Sequence, residues 1–129
     1  MDLVAIILTI ITASTPLLLA ATGELITEKS GVLNLGVEGM MLIGAITAFA
    51  TTTITNSAVL GVLAGAAAGT SMACVFGTLV LIFLANQVAT GLGLTIFAIG
   101  LTGLAGAPLI GKTIPSLPKI EIFYFLTYL

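Results

Sequence analysis

The chain contains no histidine, no tryptophan and a single cysteine. Without histidine it lacks the commonest general base and the commonest nitrogen ligand for metals. Cys74 cannot form an internal disulfide, and it lies in an apolar run where a small packing residue is typical. The sequence also lacks a P-loop pattern and a nucleophile elbow. We therefore expect no catalytic residue, no metal site and no cofactor.

Charged residues are scarce as well, and this scarcity indicates that the chain is surrounded by lipid and not by water. Of the 129 residues 59% are apolar and 6% are charged, and the mean hydropathy is +1.32. Soluble domains carry roughly 25% charged residues, so this chain cannot cover a surface that faces water. A formal charge of −2 without a basic patch gives no sign of a nucleic-acid partner. The composition predicts an all-α, polytopic transmembrane helical bundle whose surroundings are membrane lipid.

Four apolar stretches have the length of about 20 residues that a bilayer-crossing helix needs. They cover residues 3–22, 35–53, 58–84 and 88–106. A fifth apolar segment starts at Ile122, and only eight residues of it are present. We therefore expect a single transmembrane domain, residues 1–129, that is the N-terminal part of a longer protein.

The connections between these spans are short. Asn56 and Ser57 end the second span, and Ser57 is expected to cap the third helix. Residues 85–87 separate the third span from the fourth, and the proline-rich residues 106–121 predict an extended loop. Lys29 would lie on the opposite side of the membrane from Lys112 and Lys119 if every span crosses fully, so the positive-inside rule does not choose an orientation.

Small residues recur every four positions in the third span, which places them on one face of the helix. Such faces let helix backbones approach closely in lipid, so they predict tight helix packing rather than chemistry. The members are Gly61, Gly65, Gly69, Ala73 and Gly77, and a looser version in the fourth span comprises Gly93, Gly100, Gly103 and Gly106.

Residues 30–40, SGVLNLGVEGM, interrupt the apolar pattern. Gly31, Gly36 and Gly39 weaken a helix at membrane depth, where irregular backbone needs shelter from protein or a watery cavity. Asn34 and Glu38 are therefore candidates for lining a substrate pathway. An equally supported alternative makes Asn34 a helix N-cap and Glu38 an acidic residue in the first turn.

Two further groups of polar residues allow the same two interpretations. Glu24, Glu28 and Lys29 are expected to form an ordinary interfacial loop, with a pathway role as the alternative. Asn86 is typical of an N-cap for the fourth helix, but Asn86 and Gln87 could also face a polar substrate. Side-chain amides suit sugar hydroxyls and base edges because each carries a donor and an acceptor.

Three stretches resemble permease subunits of bacterial ABC importers, in the family that serves branched-chain amino acids and simple sugars. GELITEKSGVLNLGVEGMMLIGA, residues 23–45, is similar to the family signature. ANQVATGLGLTIFAIGLTG, residues 85–103, and GKTIPSLPKIE support it. The likeness is greatest to the nucleoside and simple-sugar type, and it covers residues 15–121.

The resemblance implies a subunit that transports a nucleoside or simple sugar and is not itself an enzyme. It implies a second permease subunit, a cytoplasmic ATPase and an extracytoplasmic substrate-binding lipoprotein, in a multi-pass protein of the bacterial plasma (cytoplasmic) membrane. The loop with which this family docks onto the ATPase has no match here. A secondary transporter or channel that does not use ATP is the alternative, because broken helices and membrane glutamates occur there too.

Overall fold

The computed structural model describes residues 3–114 and shows an all-α arrangement of four long helices. They are α1 (Leu3–Lys29), α2 (Val37–Thr55), α3 (Ala58–Gly77) and α4 (Gln87–Gly106). One π-helical turn, Thr78–Ile82, continues α3, and a 3₁₀ turn, Ala107–Leu109, follows α4. All four helices are long and apolar enough to cross a membrane, which confirms the predicted class and the four spans. The segment expected from Ile122 lies outside the described residues.

The first helix is longer than predicted. Glu24, Glu28 and Lys29 form its last turns, so the prediction that they belong to a loop is wrong. The helix continues because nothing in this stretch breaks it before Gly31, whose φ of +82° glycine adopts without steric cost. At that point the amide of Gly31 still bonds to the carbonyl of Glu28, at 2.9 Å.

The turn between α2 and α3 lies where the sequence predicts it. Asn56 adopts a left-handed φ of 54° and donates its backbone N–H to the carbonyl of Thr52, at 2.8 Å. The hydroxyl of Ser57 accepts the amide N–H of Leu60, at 3.4 Å, which confirms the predicted cap.

The connection from α3 to α4 is equally tight. The amide of Phe83 bonds to the carbonyl of Thr78, five residues back, at 3.2 Å, and Leu84 then takes a left-handed φ of 53°. Asn86 begins the next helix, because its side-chain oxygen accepts the amide N–H of Ala89 at 3.0 Å. The N-cap alternative for Asn86 is therefore confirmed.

Helix α2 is central and packs on α3 and α4 through backbone contacts. Gly44 faces Gly65, where an added Cβ would lie 2.8 Å from the Gly44 carbonyl oxygen. A Cβ on Gly61 would overlap the Thr52 hydroxyl and lie 2.8 Å from the carbonyl oxygen of Ala48. As the residue number in α2 rises from Gly44 to Thr52, that of the partner in α3 falls from Gly65 to Gly61. Helices α2 and α3 are therefore antiparallel.

Within residues 3–114 the small-residue face of α3 makes its close contacts at Gly61 and Gly65. A Cβ on Gly69 would meet the Met40 carbonyl oxygen at 3.7 Å, but one on Gly77 would meet nothing within 4 Å among residues 3–114. Gly77 lies two turns beyond Gly69, which is level with Met40 near the start of α2. Helix α2 therefore does not reach the level of Gly77. In α4 the predicted Gly93, Gly100 and Gly103 also face open space in the described part.

The glycine of α4 that makes the closest contact is Gly91, which sequence reasoning did not single out. A Cβ there would lie 2.8 Å from the amide nitrogen of Gly36. Further along, Gly39 faces Thr95, and Gly106 faces Ile46. The residue numbers of the contacting pairs rise together along the two helices, from Gly39 and Thr95 to Ile46 and Gly106. Helices α2 and α4 are therefore parallel.

The buried core of the described residues is small, as expected of a chain whose outer surface meets lipid. Met40, Phe76 and Val80 form a cluster that joins α2 to the end of α3, with Val32 and Leu94 packed against it. Helix α1 contributes no buried residue and reaches the other helices near its C-terminal end. Its long apolar surface is suited to acyl chains or to further protein.

Candidate functional site

Residues 30–36 form an irregular connection between α1 and α2, which we call the connecting segment. Its backbone lacks the regular hydrogen bonds of a helix. Its amide and carbonyl groups therefore need hydrogen-bond partners elsewhere in the protein. Polar side chains of α1 and α4 supply several of these partners.

Glu24, on α1, binds the middle of the connecting segment. Its Oε1 accepts the backbone N–H of Asn34 at 2.9 Å, and its Oε2 accepts the Thr27 hydroxyl at 3.2 Å. Both Glu24 and Thr27 are half-buried. The Glu24 carboxylate thus has a defined structural role in holding the connecting segment, which the sequence did not predict.

Asn34 is almost fully buried, with 7% of its surface exposed. Its side-chain oxygen accepts the amide N–H of Gly36 at 3.0 Å, and its Nδ2 lies 3.6 Å from the sulfur of Met40. The N-cap position of α2 is Gly36, so the alternative that makes Asn34 the N-cap is wrong. Asn34 instead closes a local turn with Gly36, the N-cap residue two positions later.

Gln87 holds the segment from the other side, at the first turn of α4. Its Oε1 accepts the backbone N–H of Leu33 at 2.7 Å, and its Nε2 donates to the carbonyl of Gly31 at 3.5 Å. A side-chain amide can pair with a backbone amide in this way because both carry one donor and one acceptor side. Residues 54 apart in sequence are thereby joined.

The segment then runs along α4 toward the membrane interior. Thr95 donates its hydroxyl to the carbonyl of Leu35, at 3.2 Å, and Gly91 lets the backbone of Gly36 come close. From Gln87 to Thr95 the helix rises about 12 Å at 1.5 Å per residue. The non-helical backbone therefore extends from the first turn of α4, where Gln87 binds it, to the level of Thr95.

Two of the predicted pathway residues stand apart from this arrangement. Glu38 is exposed in the first turn of α2, which agrees with the helix-dipole alternative. Asn86 is exposed as well, and its side-chain oxygen is used in the cap of α4. The structure thus brings Asn34 and Gln87 together around the connecting segment and leaves Glu38 and Asn86 outside it.

Glu24 and Thr95 complete the arrangement; the sequence analysis gave Glu24 a pathway role only as the alternative, and it did not consider Thr95. A carboxylate ten residues before Asn34 in so apolar a chain was a usable signal for Glu24. Thr95 carries no such signal, because threonines in this chain commonly bond to their own helix, as Thr102 does with Ala98.

A cavity of about 250 Å³ lies between the last turns of α1, the connecting segment and the end of α3. Thr27, Ser30 and Asn34 supply its polar lining, and Ala73, Phe76 and Leu81 supply apolar lining. The site therefore combines a buried amide, two hydroxyls and an apolar wall.

The chain matches a family model described as "Branched-chain amino acid transport system / permease component" over residues 6–122. The chain belongs to this family. The resemblance found in the sequence is therefore confirmed, and with its four spans this permease-family chain is a multi-pass protein of the plasma membrane.

Two curated members of the permease family are similar to the chain. One is the "Putative glucose ABC transporter permease protein TsgC13" of Haloferax volcanii, 44% identical over 108 residues, which cover 84% of this chain and 33% of that protein. The other is the "Guanosine ABC transporter permease protein NupQ" of Bacillus subtilis, 34% identical over 112 residues, which cover 79% of this chain and 35% of that protein. The chain thus spans about a third of the length of these relatives. No solved structure matches it significantly.

Proposed function

We propose that this chain is part of the permease subunit of an ABC importer and forms part of the translocation pathway for a nucleoside or simple sugar. The observation that carries the proposal is the connecting segment, an irregular backbone inside a membrane span that polar groups of α1 and α4 hold in place. Irregular backbone at membrane depth is typical of transport pathways. The names of the two similar permeases, for glucose and for guanosine, support the substrate class.

In this function the subunit performs no chemistry. It has two packings that open to opposite sides of the membrane, and ATP binding and hydrolysis in partner subunits bias them. The close α2–α3 contact at Gly61 and Gly65 keeps two helices moving as one body. The polar groups around the connecting segment keep its backbone satisfied in both packings.

The proposal includes three partners: a second permease subunit, a cytoplasmic ABC ATPase and an extracytoplasmic substrate-binding lipoprotein. The exposed positions of Glu38 and Asn86 fit a pathway that is completed by the second permease subunit. Asn34 and Gln87 are proposed to shape the pathway from within this chain, because they hold the connecting segment.

The test is uptake of labelled guanosine and of labelled glucose by cells that carry the complete gene and its neighbouring transporter genes. We expect uptake of one of the two to require an active ATPase and to stop when the catalytic residues of the ATPase are inactivated. Uptake that continues without the ATPase and follows an ion gradient would show a secondary transporter instead. The matched control is the same strain without the permease gene.

A further inference from the structure

An open groove lies on the surface of the bundle between α2 and α3, near the turn that joins these two helices. Its volume is about 240 Å³, which is below the roughly 300–1,000 Å³ of ligand pockets. The polar side chain in its lining, Thr52, already donates its hydroxyl to the carbonyl of Ala48 at 2.8 Å. The groove is therefore suited to apolar side chains and not to a polar solute.

The described residues leave this groove largely uncovered. Ala45 is exposed, and Val62 keeps 59% of its surface exposed within residues 3–114. Several of the lining residues are alanines, whose short side chains leave space for the side chains of another element. The lining includes Ala45, Ala48 and Thr52 of α2, Ala58 and Val62 of α3, and Ile114.

The course of the chain after α4 indicates which element covers the groove. At the end of α4, a Cβ on Gly106 would lie 3.5 Å from the side chain of Ile46 of α2. Further along, Ile114 forms part of the groove lining between α2 and α3. The described chain therefore leaves α4 and reaches the groove at the point where residues 115–129 follow.

The next apolar stretch of the sequence is tethered close to the groove. Residues 115–121 separate Ile114 from Ile122, where the apolar sequence IFYFLTYL starts. Even a fully extended chain covers only about 3.3–3.6 Å per residue, so Ile122 is within about 30 Å of Ile114. Such a short tether gives this segment a higher effective concentration at the groove than a separate protein has. Consecutive elements of a chain are also usually neighbours in space.

We propose that residues 122–129 dock into the groove between α2 and α3, as the start of a fifth span. Phe123, Tyr124 and Phe125 provide large aromatic side chains, which bury much apolar surface when they pack. The segment enters from the end at which α2 finishes and α3 begins, so it runs parallel to α3 and antiparallel to α2. The inference concerns how the permease subunit packs, and it holds for any transported solute.

Disulfide crosslinking of the full-length permease, in the membrane and with its partner subunits, tests this contact. On a Cys74→Ser background, a single cysteine at each of residues 122–129 is combined with Val62→Cys. We expect crosslinks that recur about every three to four residues, because one face of the docked helix meets the groove. With Ala58→Cys as the partner, the strongest crosslink should lie about four residues earlier in the segment, because parallel helices advance together.

Leu60→Cys is the matched control. Leu60 belongs to the same helix as Val62, is 49% exposed in the described chain and lies outside the lining of the groove. Two residues turn an α-helix by about 200°, so the two side chains point to nearly opposite sides. We expect cysteines at residues 122–129 to form few or no crosslinks with Leu60→Cys. All pairs are compared at equal amounts of membrane-inserted protein, so that poor folding is not read as a missing contact.

The outcomes distinguish this segment from other occupants of the groove. Crosslinks to Val62→Cys but not to Leu60→Cys would confirm the docking. If no cysteine at residues 122–129 crosslinks to Val62→Cys, or if Val62→Cys links only to a partner subunit, the inference is wrong. A strongest crosslink that moves in the opposite direction between Ala58→Cys and Val62→Cys would overturn the parallel arrangement. Uptake without the ATPase would reject the importer function and leave these crosslinks unchanged.

Discussion

At the scale of single residues, the few polar side chains of this chain are used to satisfy backbone. Glu24, Gln87 and Thr95 each bond to a main-chain group of residues 31–35. In lipid an unpaired amide or carbonyl costs several kcal/mol, so these contacts decide whether the connecting segment can exist at that depth.

Gln87 allows a direct measurement of this effect. We expect Gln87→Met to lower the free energy of unfolding by about 1–3 kcal/mol, because the Leu33 amide loses its acceptor. Gln87→Glu is the matched control, since it keeps an oxygen at that position and should lose less. Thermal unfolding of the full-length protein in lipid nanodiscs measures both. A Gln87→Met variant as stable as wild type would show that another acceptor replaces the side chain.

At the scale of secondary-structure elements, glycine contacts fix how α2 sits between its neighbours. Apolar side chains gain little from meeting each other rather than lipid, so close backbone approach provides the attraction. Gly61 and Gly65 of α3 supply it between α2 and α3, and Gly39 of α2 supplies it toward α4. The position of each glycine relative to the crossing, and not its presence in the helix, decides whether it contributes.

Two glycines of α3 test this conclusion. Gly61→Ala places a Cβ against the Thr52 hydroxyl and 2.8 Å from the Ala48 carbonyl oxygen, so we expect a loss of about 1–3 kcal/mol in stability. Gly77→Ala has the same chemistry in the same helix but meets nothing within 4 Å in the described chain, and it should not destabilise. The unfolding midpoints of the two variants in nanodiscs provide the comparison. Equal midpoints would contradict the assigned α2–α3 contact.

At the scale of the whole molecule, the packing determines which helix ends share a side of the membrane. The contacts of Glu24 and Gln87 place the end of α1 and the starts of α2 and α4 together. The contact between Gly61 and Thr52, and that between Gly106 and Ile46, place the end of α4 with the turn between α2 and α3. Lys29 and Lys112 therefore lie at opposite ends of the described helices, as expected if all four helices cross fully.

Cysteine labelling tests this topology. With Cys74→Ser as background, we expect Glu28→Cys and Lys112→Cys to react with a membrane-impermeant maleimide from opposite sides of intact cells or vesicles. Both positions are exposed in the described part of the chain and lie at opposite ends of its helices. Permeabilised membranes, in which both should react, serve as the control. Labelling of both from one side would mean that a segment re-enters.

The sequence predicted the local features well because they depend on neighbouring residues. Ser57 and Asn86 are recognisable as caps from the residues beside them, and both act as caps. The role of Asn34 was harder to predict, because asparagine both closes turns and caps helices. Which of the two roles it has depends on where α2 begins. Glu24 was assigned to a loop because the sequence alone did not show that α1 continues to Lys29.

By itself, the sequence determined the solvent, the all-α class, the four spans and the family, since composition and short motifs carry that information. Tertiary structure alone decided that Gly91 and not Gly93 touches the connecting segment, and that Gly77 lines a cavity. It also decided that Gln87 reaches Leu33 across 54 residues of sequence. These features depend on the register and crossing of helices, which no local pattern encodes.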